Sequence, residues 1–449
     1  MKFSSLLILA TSLGLSIAHA DERKLYVGKN ATEAYLNFRH TVEINSPRAN
    51  EDDAYEAIED QLQHLFGTMA VADLKAVPRG AHEITDVQLS VKDGKKTIVS
   101  YQYRGLIVVE LAKRETPEAP LKSYTVILPN NPATIYRSAM VGRYNPCTDE
   151  HYQEEGDFWY FWSPAPANPK CRLKEWVHYR KVTGSLQRIK NTTRSFPEYE
   201  RLTSADGVLR ISLLMGMDDP DLNRDPNVSD DENALNFRPI KASLLERGYR
   251  SRIWSGSEIN QVVPDRAAND RVYVEEFTKT FTRNEVTRAI RLRIFFGPSG
   301  IDEDSRSFHY FFKDSLANEA IMMYDGHSGL GGHLDLAAIE DQHGFEFAPN
   351  QKQYQIYFFN SCSSYTYYNS MYFGRKKTQT DPKGTKNLDV LNNGLSTYFS
   401  VMHDTNMALV RAVEAWVETG TRVSYQTLAN QIDSDNLFSV NGDEDNPKE

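Results

Sequence analysis

Two side chains able to carry out acyl transfer stand at the ends of two short apolar runs. Ile321-Met322-Met323-Tyr324 leads through Asp325-Gly326 to His327, and Ile356-Tyr357-Phe358-Phe359 leads through Asn360-Ser361 to Cys362. A cysteine attacks a carbonyl as its thiolate, and a neighbouring imidazole takes the thiol proton and later returns it to the leaving amine. The pair must therefore converge in space, whatever its separation in sequence. A four-residue apolar run bounded by Gly and Ser reads as a fully buried strand of a parallel sheet, whose ligands sit beyond the carboxyl ends of the strands. The 35 residues between the two (362 − 327) leave room for the crossover that adjacent parallel strands need. His327 and Cys362 would then share one sheet edge. Glycines at 326, 329, 331 and 332 would let backbone amides approach a substrate carbonyl, and an amide beside Cys362 would complete an oxyanion hole.

The elements that must position this pair begin near residue 203, where strands alternate with helices in the manner of a mainly parallel α/β sheet covered by helices on both faces. Val208–Gly216 reads as the first strand, followed by an Asp- and Pro-rich loop from Asp218 to Glu232, a helix from about Ala234 to Glu246 and a strand from Arg250 to Trp254. Residues 271–296 read as an inserted pair of strands and Ser305–Leu316 as a helix. After the His327 and Cys362 strands come a last strand at 388–391 and an amphipathic helix from about Ser396 to Trp416. The acidic stretch after Asp435 reads as a frayed tail. Residues 21–202 read as a strand-rich α+β domain, with a helix from Asp52 to Phe66 and no catalytic constellation of its own. The expected organisation is thus 1–20, 21–202, 203–435 and a tail at 436–449.

The two turns resemble those of the caspase-like cysteine peptidases, the group that includes metacaspases, legumains, gingipains, clostripain and separase. Tyr324-Asp-Gly-His-Ser-Gly is similar to the metacaspase and gingipain histidine turn, and Phe359-Asn-Ser-Cys-Ser-Ser to the metacaspase and separase cysteine turn. The resemblance covers residues from about 203 to about 430 and implies a caspase-like fold there. It implies His327 as general base and acid, Cys362 as nucleophile, and the amides of Ser328 or Gly329 with that of Cys362 as the oxyanion hole. Two positions differ: Ser328 stands where the family has Gly, and Asn360 where metacaspases carry an Asp that grips a basic side chain. Asp218 and Asp219, after the first strand, fall where the family often builds its specificity pocket. The resemblance therefore implies a peptide or protein substrate, cleavage after basic residues, and substrate contacts from Asp218, Asp219 and Asn360.

Composition narrows the setting. The N-terminus carries Lys2, an apolar stretch from Leu6 to Ala18 and the small-x-small triplet Ala18-His19-Ala20, which read as a secretory signal cut after Ala20. Secretion or a periplasmic location is expected. No later stretch is long and apolar enough to span a membrane, and the net charge of −10 without a basic block disfavours nucleic acid. Three cysteines in an oxidising compartment leave one unpaired: Cys147 and Cys171, beside prolines and flanking an aromatic segment, are the expected disulfide, and Cys362 the free thiol. The cluster His327, His333, Asp325 and Asp335 lies on a glycine turn rather than one rigid helix face, so neither a metal nor another cofactor is expected. The basic segment Arg375 to Lys386 reads as an exposed loop open to self-cleavage. The rival reading is a catalytically degenerate member of the same group that acts as a surface binding module.

Overall fold

The computed structural model describes residues 26–27, 31–111, 121–139, 147, 159–160, 162–164, 171–189, 195–301, 305–432 and 436–442. Residues 1–20, expected to be a signal segment, and the last seven residues lie outside them. Two sheets organise the chain. The strands are β1 (Tyr26–Val27), β2 (Ala31–Ile44), β3 (Ala76–Lys92), β4 (Lys96–Glu110), β5 (Ser123–Pro129), β6 (Tyr179–Arg188), β7 (Val208–Gly216) and β8 (Arg250–Ile253). They continue as β9 (Tyr273–Arg283), β10 (Val286–Gly297), β11 (Ile321–Asp325), β12 (Gln355–Asn360), β13 (Leu388–Asn392) and β14 (Ser439–Asn441). The helices are α1 (Glu51–Ala70), α2 (Pro132–Ala139), α3 (Glu232–Glu246), α4 (Gly256–Val262), α5 (Arg306–Asn318), α6 (Leu336–His343), α7 (Ser364–Tyr367), α8 (Ser370–Lys376), α9 (Phe399–Thr419) and α10 (Tyr425–Ile432).

The smaller sheet is antiparallel, in the order β3-β4-β2-β6-β5. Helix α1 starts at a capping box, in which Asn50 and Asp53 exchange side-chain and backbone bonds. It lays Ala54, Ile58, Leu62 and Leu65 on one side of the sheet, against Leu36, Phe38, Tyr101 and Tyr103. The strand-rich mixed character expected of this region is what is observed.

The larger sheet is mixed, in the order β1-β14-β13-β12-β11-β7-β10-β9-β8. Its middle five strands, β13-β12-β11-β7-β10, are parallel, and antiparallel strands flank them. Successive side chains of a strand point to opposite faces, so Ile356 and Phe358 of β12 enter the core under α3, α9 and α10. Tyr357 and Phe359 enter the core under α4, α5, α6 and α8. Both faces being covered, the strands need no polar side, and every residue of β11 and β12 is buried.

Three expectations need correcting. Strand β10 is not part of an insertion: it pairs parallel with β7 over nine rungs, from Ala289↔Val208 to Gly297↔Gly216, inside the sheet. Its arginines are matched within the fold, Arg293 with Asp314 (2.7 Å) and Arg291 with Glu319 (3.0 Å). Strand β8, found where expected, is a fully exposed edge paired antiparallel with β9, and its charged side chains suit an edge that must not recruit another strand. The segment after Asp435 is not a frayed tail over its described part, because β14 is buried between β13 and β1. The boundary at 202 softens for the same reason. β1 belongs to the larger sheet, and Tyr199 and Leu202 are already in its core.

Phe438 meets Phe358 edge-on at 5.9 Å in the core of the larger sheet. Phe438→Ala should therefore cost about 3–5 kcal/mol in urea unfolding, the usual range for emptying a buried aromatic site. An unchanged midpoint would show that the segment is peripheral after all.

Candidate active site

Strand β7 runs into a loop that is folded back by one carboxylate. Asp231, buried at the N-terminus of α3, accepts the helix's own amides from Asn233 (2.9 Å) and Ala234 (3.4 Å). Its other oxygen accepts the amides of Asp218 (2.8 Å) and Asp219 (3.0 Å). The loop is thereby pinned, and the Asp218 carboxylate reaches His327 Nε2 at 2.5 Å. This contact spans 109 residues of sequence. It lies beyond the end of β7, which has β10 on one side and β11 on the other, the switch point beyond the carboxyl ends at which open α/β sheets place their sites.

His327 is held from below by its own strand. Tyr324 Oη donates to the His327 carbonyl at 2.7 Å, and the imidazole, 49% exposed, meets Phe399 edge-on at 5.5 Å. The turn that follows is tight. Ser328 is buried and its carbonyl accepts from Gly331 N (2.9 Å), His333 N (3.2 Å) and Tyr368 Oη (2.9 Å). Gly329 adopts φ +52°, and a Cβ there would stand 2.1 Å from the His333 ring, so any other residue would be strained and would push that ring aside.

Register brings the thiol to the same level. β11 pairs parallel with β12, Asp325 opposite Asn360, so His327 and Cys362 each stand two residues past the last shared rung. Cys362 is the free cysteine, and Cys147 and Cys171 are joined by a disulfide. Cys362 Sγ donates to Thr397 O at 3.7 Å; burial pushes the thiol pKa up, and the contacts with Thr397 and Ser396 pull it partly back. The segment 396–399 thus touches both candidate groups, the thiol through Thr397 and the imidazole through Phe399. Beyond Cys362 the chain turns through Ser363 at φ +54°, whose amide donates to Leu395 O at 3.1 Å. The smaller sheet clamps this turn: Tyr365 Oη donates to Glu33 (3.2 Å) and Thr366 Oγ1 to Pro78 O (2.8 Å).

The remaining expected residues are distributed less simply. Asn360 is buried, with its amide donating to Thr405 Oγ1 (2.9 Å) and its oxygen accepting from Asn393 (3.1 Å), so it braces the sheet edge rather than facing the cleft. Asp219 is exposed, and its Oδ1 accepts the amide of Asp221 at 2.9 Å. Asp325 lies beneath the turn and receives Asn406 Nδ2 at 2.5 Å, while Asp335 caps α6 through Ala338 N (2.9 Å). Among the described residues no three His, Cys, Asp or Glu side chains are grouped to hold a metal ion. The basic segment from Arg375 is stapled: Lys376 is buried on Asn350 O (2.7 Å) and Gln353 O (2.9 Å), and Asp381 accepts the amides of Gly384 and Lys386, each at 2.9 Å. Sequence reasoning missed the Asp218–His327 bond and the role of 396–399. The only cue to the first was the position of Asp218 just past a strand end.

Burial pushes the Asp325 carboxyl up to about 8, against the opposing hydrogen bonds of Asn406 and Asn360. The folded state therefore keeps a proton that the unfolded chain releases near pH 4, and stability falls as pH rises from about 4 through about 8. Asp325→Asn, which keeps an oxygen for Asn406, should flatten that decline in urea unfolding series across this window. A decline of the same steepness in the variant would assign it to other groups.

Among the described residues no helix is long and apolar enough to cross a membrane. Comparison with protein-family models, with curated proteins and with solved structures finds no match to this chain.

Proposed function

We propose that this chain is an exported cysteine endopeptidase of the caspase-like group, with Cys362 as nucleophile, His327 as general base and acid, and Asp218 as the residue that orients the imidazole. The observation that carries the reading is the equal overhang of His327 and Cys362 beyond the paired Asp325 and Asn360. Adjacent strands lie about 4.8 Å apart, which suits a thiol–imidazole pair, and the Asp218 bond supplies the third, orienting group of such constellations.

The chemistry follows from the hydrogen bonds. With Nε2–H of His327 donating to Asp218, Nδ1 is the basic nitrogen and takes the proton of Cys362. The thiolate adds to the scissile carbonyl, and the imidazolium protonates the amine as the C–N bond breaks, leaving a thioester on Cys362. Water, deprotonated by His327, then releases the acid and restores the thiol. The backbone amides of Ser328 or Gly329 and of Cys362 are the donors proposed for the oxyanion. Preference for basic side chains rests on exposed Asp219, since Asp218 is engaged by His327. A pocket of about 500 Å³ next to the loop after β7, lined by Arg224, Arg266 and Arg271 against the single carboxylate of Asp225, favours acidic side chains instead. Fluorogenic peptides with Arg, Lys, Asp or Asn before the cut bond decide between them, and faster cleavage after Asp would overturn the basic preference.

Cys362→Ala should abolish hydrolysis, and Asp218→Asn should lower kcat by about 10²-fold or more with little change in KM, within the span that a positioned general base contributes. An Asp218→Asn protein of full activity would remove Asp218 from the machinery. The rival reading, a degenerate binding module, is favoured by the elevated thiol pKa and the Cys362–Thr397 bond. Iodoacetamide separates the two. An activated thiolate labels well below the ordinary thiol pKa of ~8.5 and loses that reactivity in His327→Ala; labelling only above it, with no peptide cleaved, would leave the binding module standing.

A further inference from the structure

The pocket of about 500 Å³ beside the loop after β7 carries a charge opposite to that of the chain, whose net charge is −10. Arg224 lines it from that loop, Arg266 and Arg271 from the stretch between α4 and β9, and Trp254 and Tyr273 complete the wall. None of the three arginines forms an ion pair among the described residues. Arg266 is held all the same, by neutral groups: its Nε donates to Asn260 Oδ1 at 2.9 Å and its Nη1 to the Asp270 carbonyl. A guanidinium fixed in place without being neutralised is preorganised for an anion. The one carboxylate in the lining, Asp225, is engaged by its own loop, where it accepts the Asn227 amide (3.0 Å) and side chain (2.7 Å). The neighbouring Asp270 carboxylate accepts from Ser307 at 2.5 Å. Three cations against one carboxylate leave a surplus of two positive charges.

We infer that this pocket binds a phosphate group, free or carried as a monoester. A carboxylate presents one edge of two oxygens and is filled by a single guanidinium fork. An acidic side chain therefore meets the charge of the pocket only in part. A phosphate monoester presents three oxygens and about −1.5 to −2 charges at neutral pH, which matches three forks and a surplus of two. Arg224 sits midway along a loop already tied on either side of it. Asp231 receives the amides of Asp218 and Asp219, and Asn227 Nδ2 donates to Tyr273 Oη at 3.0 Å. The bound anion joins the free middle of this loop to the chain between α4 and β9, and so steadies the Asp218 carboxylate against His327. Phosphate is then an activator of the candidate active site. That consequence rests on the peptidase reading; the binding itself does not.

The test titrates the full chain by calorimetry at low salt with inorganic phosphate, phenyl phosphate and N-acetyl-Asp-amide. Both phosphates should bind, and the singly charged Asp amide about tenfold more weakly or worse. Arg224→Gln and Arg271→Gln should each weaken phosphate about tenfold or more, as the loss of a charge-assisted hydrogen bond does. Arg250→Gln, on the exposed edge β8, should leave it unchanged. Thermal melts show whether each variant is folded. Tighter binding of phenyl phosphate assigns the monoester, tighter binding of inorganic phosphate the free ion. Equal binding of the Asp amide, an equal loss in Arg250→Gln, or no binding of either phosphate overturns the site. Peptide hydrolysis is then followed with and without phosphate, which should raise kcat about twofold or more by better placement of the base, a rise that Arg224→Gln abolishes. Binding in a protein that hydrolyses nothing leaves the phosphate site standing and removes the peptidase; hydrolysis in a protein that binds no phosphate does the reverse.

Discussion

The in-register parallel pairing of β7, β11 and β12 is the constraint from which the rest of the site follows. Three neighbouring strands ending at one level deliver Asp218, His327 and Cys362 to one edge in that spatial order, although the chain visits them far apart. Because side chains alternate between faces, a slip of one residue in β12 would exchange its two apolar sets between cores of different shape. Filling both cores, with Phe358 on one side and Phe359 on the other, therefore specifies the register and with it the placement of the thiol.

The edge is maintained by polar groups that have left water and must be satisfied within the fold. Asn360 contacts Asn393, which in turn receives Asn436 (2.9 Å), while Asn441 donates to Asn392 (3.2 Å), so carboxamides bridge β12, β13 and the approach to β14. Asp231 does the same for the loop that carries Asp218. Each of these residues helps hold a candidate group in place through buried hydrogen bonds. The smaller sheet adds a second brace through Glu33 and Pro78, which reach the chain just past Cys362. The N-terminal half is therefore part of the support of the cysteine turn rather than an appendage to it.

Much of this was legible in the residues. β7, β11 and β12 are continuous apolar runs, α1 and α9 show helical spacing, and the cysteine count singled out Cys362 as the free thiol. What escaped had a physical reason in each case. β10 reads in sequence as one of an inserted pair of strands because its alternating arginines suit a peripheral strand, whereas Arg291 and Arg293 meet acidic partners contributed by α5 and its C-terminal end. β14 is three residues long and flanked by acidic sequence, so no periodicity could mark it. Asp218 was read as a specificity residue because its imidazole partner is set by strand order, which one-dimensional pattern does not carry. Asn360 was read as substrate-facing because only the structure shows which way a strand-end carboxamide points.

The pairing of β1 with β14 places residue 27 against residue 439 at the margin of the larger sheet. So long a closure is slow to find, since loop entropy must be surrendered before the contact returns anything. A chain growing on a ribosome cannot complete this margin until β14 has emerged, and β14 lies only two strands from β12, the strand that leads to Cys362. The margin of the sheet that aligns the candidate thiol and imidazole is therefore closed by segments from opposite ends of the larger sheet's own sequence, and it forms after the parallel core between them.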